Sequence, residues 1–149
     1  MDVHAFLFTA QEWLGEGKIS LSLVDEDLKF LTRWKIGAFD SSGVLACTQE
    51  VQIQGVPEAV LNHFTISEVN QGKFKVVLEN EALGKVEGTG FVTDKLVAWE
   101  LRSQGASLEG FEVYELMPEG GYRMSAQYAT DESLRTQIQG RVWIPATKR

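Results

Sequence analysis

The sequence predicts an all-β fold, an antiparallel meander of about ten strands closing into a barrel. Three observations carry that prediction. From Trp13 to Ile144 apolar and polar residues alternate with a period of two, the signature of strands with one buried and one wet face. Turn-forming clusters of Gly, Asn, Asp, Ser and Pro recur about every ten residues. No long helical period interrupts the series, so the connections are short and neighbouring strands run antiparallel.

The elements follow in order. Val3–Gln11 is expected to form a short helix, with Asp2 as its N-cap and Phe6, Leu7 and Ala10 on one face. Two turns of helix are not stable alone, so this segment has to lie on something apolar, such as one end of the barrel. The first strand runs from Trp13 to Val24, with Trp13, Gly15, Gly17, Ile19, Leu21 and Leu23 in its apolar phase. After the charged turn Asp25-Glu26-Asp27, the second strand places Leu28, Phe30, Thr32, Trp34 and Ile36 inside and Lys29, Arg33 and Lys35 outside. Asp40-Ser41-Ser42-Gly43 forms a hairpin loop. The third strand directs Leu45, Cys47, Gln49, Val51 and Ile53 inward.

Gly55-Val56-Pro57 ends that strand. Glu58 to Val69 could begin as a helical turn, but Phe64, Ile66 and the turn Asn70-Gln71-Gly72 favour a strand. Phe74, Val76 and Leu78 form the next inner face. The strand Leu83–Val92 carries Gly84, Val86, Gly88, Gly90 and Val92 in one phase. Glycines inside strands mark sharp bends or close backbone approach; Gly15, Gly17, Gly84, Gly88 and Gly90 are read as corners of a tightly coiled sheet. The remaining strands are Lys95–Ser103, Leu108–Met117, Tyr122–Tyr128 and Leu134–Ile144, separated by Gln104-Gly105, Pro118-Glu119-Gly120-Gly121 and Asp131-Glu132. Closing such a sheet removes both exposed edges.

The chain of 149 residues suits a single domain, 1–149, long enough to bury a core without disulfides or metal. Net charge is −7, which disfavours binding to nucleic acid or to an anionic membrane. The single cysteine, Cys47, rules out an internal disulfide and any CxxC metal site. Met1–Ala10 carries Asp2 where a signal peptide would be positive, and nothing approaches a membrane span. A cytoplasmic protein is expected.

The segment "EWLGEGKISL", a Trp beside glycines on the first strand, and the aromatic hairpin "LEGFEVYELMPEGGYRMSAQY" resemble calycin-type barrels: lipocalins, fatty-acid-binding proteins and nitrobindin-like proteins. The resemblance implies a barrel that holds a small molecule inside. Lipocalins carry Gly-x-Trp, whereas the order here is Trp13-Leu14-Gly15, and their disulfide is impossible with one cysteine. The C-terminal haem-binding histidine of nitrobindin-like proteins has no counterpart, because no histidine follows His63. Fatty-acid-binding proteins hold a carboxylate with Arg-x-Tyr on the last strand. Arg141 matches that arginine and Trp143 replaces the tyrosine, and both would face inward only if the strand slipped phase at Gly140.

Inner-phase aromatics Trp34, Phe64, Trp99, Tyr114 and Tyr128 are the candidate walls of an interior site, with Arg141 as a candidate partner for a polar head group. The same rings could equally fill a solid core. Thr32, Gln49 and Thr136 share the inner faces and are candidate hydrogen-bond partners for a ligand, or else internally satisfied groups. The inner phases hold no Lys or Arg in simple alternation, which points to a neutral apolar ligand, since a buried charge needs a partner. Glu112 and Glu115 lie in opposite phases, so one of them could face inward and act as acid or base. His63 falls on the outer phase, and Cys47 is expected to be buried and inert. No catalytic set, cofactor or metal site is expected. The leading expectation is a barrel binding a small hydrophobic molecule. The alternative is a non-enzymatic interaction module with a filled barrel, favoured by Trp143 beside Arg141 on the polar phase; a homo-oligomer is compatible with either.

Overall fold

The second strand shows how the alternation becomes structure. Phe30, Thr32, Trp34 and Ile36 are buried while Lys29, Leu31, Arg33 and Lys35 are exposed. The computed structural model describes residue 4 and residues 6–22, 25–103, 108–130 and 135–145. Among the described residues ten strands follow one another: β1 (Gln11–Leu21), β2 (Leu28–Ile36), β3 (Leu45–Ile53), β4 (Val60–Asn70), β5 (Lys73–Asn80), β6 (Gly84–Val92), β7 (Leu96–Ser103), β8 (Leu108–Leu116), β9 (Tyr122–Thr130) and β10 (Arg135–Trp143). Each pairs antiparallel with its neighbours in sequence, and β1 pairs with β10, so the sheet is a closed barrel. Glu58 and Ala59 precede β4, and the segment Val60–Asn70 is strand rather than helix.

Closure is made possible by a contact between glycines. Gly17 of β1 lies opposite Gly140 of β10. A Cβ on Gly17 would collide with the Gln139 carbonyl oxygen, and one on Gly140 with that of Glu16. Only hydrogen side chains let the first and last strands coil this closely. Gly84 instead opens β6 opposite Asn80, with φ of 67° where the turn enters the strand. The β4–β5 hairpin turns through Gln71 and Gly72, both at positive φ (54° and 76°), the geometry whose twist matches the flanking strands.

The expected helix over Val3–Gln11 does not form among the described residues; Val3 and Ala5 lie outside them. Residues 6–8 make a turn instead, with Leu7 at φ 76°, outside the right-handed helical region. The reason is tertiary. Phe6 and Leu7 are adjacent and both fully buried, and a helix points neighbouring side chains in different directions. The turn drives both into one end of the barrel. The Phe6 ring meets those of Trp13, Trp34, Tyr114 and Tyr122 at centroid distances of 5.3, 5.4, 4.6 and 5.5 Å. His4 secures the segment: its Nε2 lies 2.6 Å from the Thr93 carbonyl oxygen and its Nδ1 2.7 Å from Tyr122 Oη. A carbonyl can only accept, so Nε2 carries a proton. No helix among the described residues is long and apolar enough to cross a membrane.

Candidate functional site

The plugged end and the opposite end of the barrel have different contents. At the plugged end the aromatic rings pack on one another. Trp34 stacks on Phe64 at 5.2 Å, and Trp99 on Tyr114 at 5.1 Å. Toward the other end the inner-phase residues are smaller, and they surround a cavity of about 290 Å³, near the lower limit of the roughly 300–1,000 Å³ usual for small-molecule sites. Its apolar wall includes Ile19, Phe30, Val51, Leu78, Met124 and Ile138. Among the described residues that line it there is no Lys, Arg or His.

The sequence-predicted residues divide accordingly. Phe64 and Tyr128 border the cavity, as do Thr32, Gln49 and Thr136. Trp34, Trp99 and Tyr114 point inward but do not reach its wall; they are buried in the aromatic floor beneath it. Arg141 does not join them, contrary to the expectation of an inward head-group partner. The β1–β10 register runs without a break from Leu14↔Trp143 to Leu21↔Thr136, so no phase slip occurs at Gly140. Arg141 stays on the outer face, where it pairs with Glu16 at 2.9 Å and lies 5.1 Å over the Trp143 ring.

Of the two glutamates, Glu112 is the inward one. Its phase is shared with Leu108 and Tyr114, and it is only 6% exposed. Tyr114 Oη donates to one carboxylate oxygen at 2.8 Å, and Tyr128 Oη donates to the other. Burial pushes the Glu112 carboxyl above its ordinary value, because charge is poorly solvated there. The two phenols and the nearby Trp99 indole favour the charged form but do not offset burial. Trp99 Nε1 itself makes no hydrogen bond among the described residues. The same burial, with the carboxylate alongside, raises both tyrosines well above 10.0. Glu115 faces outward, 3.9 Å from Arg123. His63 is exposed. Cys47 is buried and its thiol is pushed up to about 12 by desolvation, so it is un-ionised and unreactive at neutral pH.

Sequence reasoning did not single out Asn62 and Asn80, which also line the cavity. Asn80 Nδ2 donates to Asn62 Oδ1 and Asn62 Nδ2 to Gln49 Oε1, each at 2.9 Å. The available signal was their phase: Asn62 alternates with Phe64 and Ile66, and Asn80 with Phe74, Val76 and Leu78. Thr32 Oγ1 is buried without a partner among the described residues. A larger concavity of about 900 Å³ lies on the outer face, between β1–β3 and Gly55–Pro57. The buried polar groups gather inside the barrel, not there.

Fold and site together define a calycin-like barrel: a closed ten-stranded antiparallel meander around an internal cavity. Among solved structures, the chain is similar to the S-type phycobiliprotein lyase CPES from Guillardia theta, with a TM-score of 0.70 and 8% identity over 94% of this chain and 90% of the other. That likeness is one of fold. No protein-family model matches the sequence, and no curated protein matches it significantly.

Proposed function

We propose that the protein binds a compact, neutral, largely hydrophobic molecule inside the barrel. The observation that carries this reading is the internal cavity itself: an apolar wall, a few polar groups and no cation among the described lining residues. Such a wall removes apolar surface from water and has nothing to neutralise a free carboxylate ligand. The cavity volume favours a small ring system over a long acyl chain. The shared fold with the phycobiliprotein lyase supports an interior site. A cytoplasmic setting accords with the single buried, unpaired Cys47.

Titration with neutral aromatic probes and with fatty acids, followed by calorimetry, tests this. Saturable one-to-one binding of the neutral probes, weakened by Met124→Trp filling the cavity, is expected, together with weaker binding of ionised fatty acids. Absence of saturable binding across the neutral probes would remove the reading. Exposed Leu31, Phe91 and Phe111, at 60%, 50% and 43% exposure, favour a second reading as an interaction module. A strict monomer in sedimentation velocity that captures no partner on cross-linking would count against it.

A further inference from the structure

The amide ladder across β3, β4 and β5 has a direction that cannot be reversed, and that direction states what the cavity offers a ligand. The backbone N–H of Leu83 donates to Asn80 Oδ1 at 2.8 Å. A backbone N–H is only ever a donor, so the oxygen of Asn80 must face it. The Asn80 amino group is therefore the one directed at Asn62, whose Oδ1 accepts at 2.9 Å. Asn62 Nδ2 then donates to Gln49 Oε1, also at 2.9 Å. Side-chain amide orientations are normally ambiguous; here one backbone group sets all three. The ladder ends on Gln49 Nε2, which donates to nothing among the described residues, although Gln49 is only 7% exposed and lines the cavity.

Gln49 is largely buried, and its unpaired amino group borders the cavity, where only a molecule inside the barrel can accept from it. We propose that Gln49 Nε2 is the polar anchor of the cavity and that it takes a hydrogen-bond acceptor, so that the ligand is a neutral carbonyl-bearing molecule: a ketone, ester or amide on a hydrophobic frame. This rests on the interior-binding reading and narrows it. Glu112 also borders the cavity, but as a carboxylate accepting from Tyr114 and Tyr128 it has no donor to offer a carbonyl.

The test uses a matched pair of probes, 2-acetylnaphthalene and 2-isopropenylnaphthalene, which differ only in a carbonyl oxygen replaced by CH₂. Calorimetry on the intact protein should show the ketone binding about fivefold tighter than that one substitution would otherwise allow, the worth of one neutral hydrogen bond. Its carbonyl stretch should shift to lower frequency on binding. Gln49→Met should erase the ketone preference while the hydrocarbon still binds saturably, which also shows that the variant folds. Asn80→Asp is the sharper variant. Aspartate still accepts from Leu83 but cannot donate to Asn62, so Asn62 and Gln49 turn over and present Gln49 Oε1 to the cavity. The ketone preference should then disappear without any change at Gln49. If both probes bind with no ketone preference, or the preference survives in Gln49→Met, the donor-anchor proposal is overturned and the cavity reading stands. If neither binds, the cavity reading falls and takes this proposal with it.

Discussion

At the residue scale, Glu112 concentrates the electrostatics of the interior. Its carboxyl is raised above 4.5 by burial, so between that ordinary value and the folded-state value the native protein holds a proton that the unfolded chain has released. Stability therefore falls as pH rises through this window and is greatest below it. Tyr114 and Tyr128, raised above 10.0, act in the same sense at alkaline pH. Glu112→Gln removes the ionisation and keeps an acceptor for one of the tyrosines. We expect its denaturation midpoint to fall less than that of the native sequence as pH rises above 4.5. A flat profile for both proteins would show that Glu112 does not titrate in a buried site. The inward direction of Glu112 was legible: Leu108, Glu112 and Tyr114 share one phase of β8, so an inward Tyr114 entails an inward Glu112. What the sequence left open was whether a carboxylate would be accepted there, because that depends on two phenols, one of them from β9.

At the element scale, the N-terminal segment acts as a stopper. Phe6 is fully buried among Trp13, Trp34, Tyr114 and Tyr122, so Phe6→Ala leaves a void within a rigid aromatic cluster. We expect a loss of about 3–5 kcal/mol in chemical denaturation. The neutral probes should still bind to whatever fraction remains folded, since the cavity lies beyond the floor. A loss under about 1 kcal/mol would mean that the segment is held only at its surface. Short-range patterning suggested a helix here because Phe6, Leu7 and Ala10 fit a helical face. It could not register that the barrel end has room for two adjacent side chains, which a turn with Leu7 at positive φ supplies.

At the scale of the whole molecule, closure depends on the β1–β10 seam. Gly140→Val would bring a branched side chain against the Glu16 carbonyl. We expect a destabilisation of about 3 kcal/mol or more, measured by thermal unfolding, together with greater exposure of apolar surface to a fluorescent dye as the seam opens. An unaltered melting temperature would show that the strands can separate here without cost. The inner-phase aromatics likewise acquire their roles only from the closed shape. Phe64 and Tyr128 meet the cavity, whereas Trp34, Trp99 and Tyr114 become its floor.

The strands, their alternation, their antiparallel order and most of the inward-facing residues were readable from the chain, because a period of two and a short turn are local properties. Thr32, Gln49 and Thr136 were readable as inward polar groups for the same reason. How that interior is divided came from long-range packing. Packing at one end, the stopper that fills it, the apolar cavity at the other and the one-way amide ladder from Leu83 to Gln49 all arise from contacts between segments brought together by the fold. Arg141 shows the boundary between the two. Its residue type matched a binding role, but an unbroken register with β1 holds it on the outer face beside Glu16.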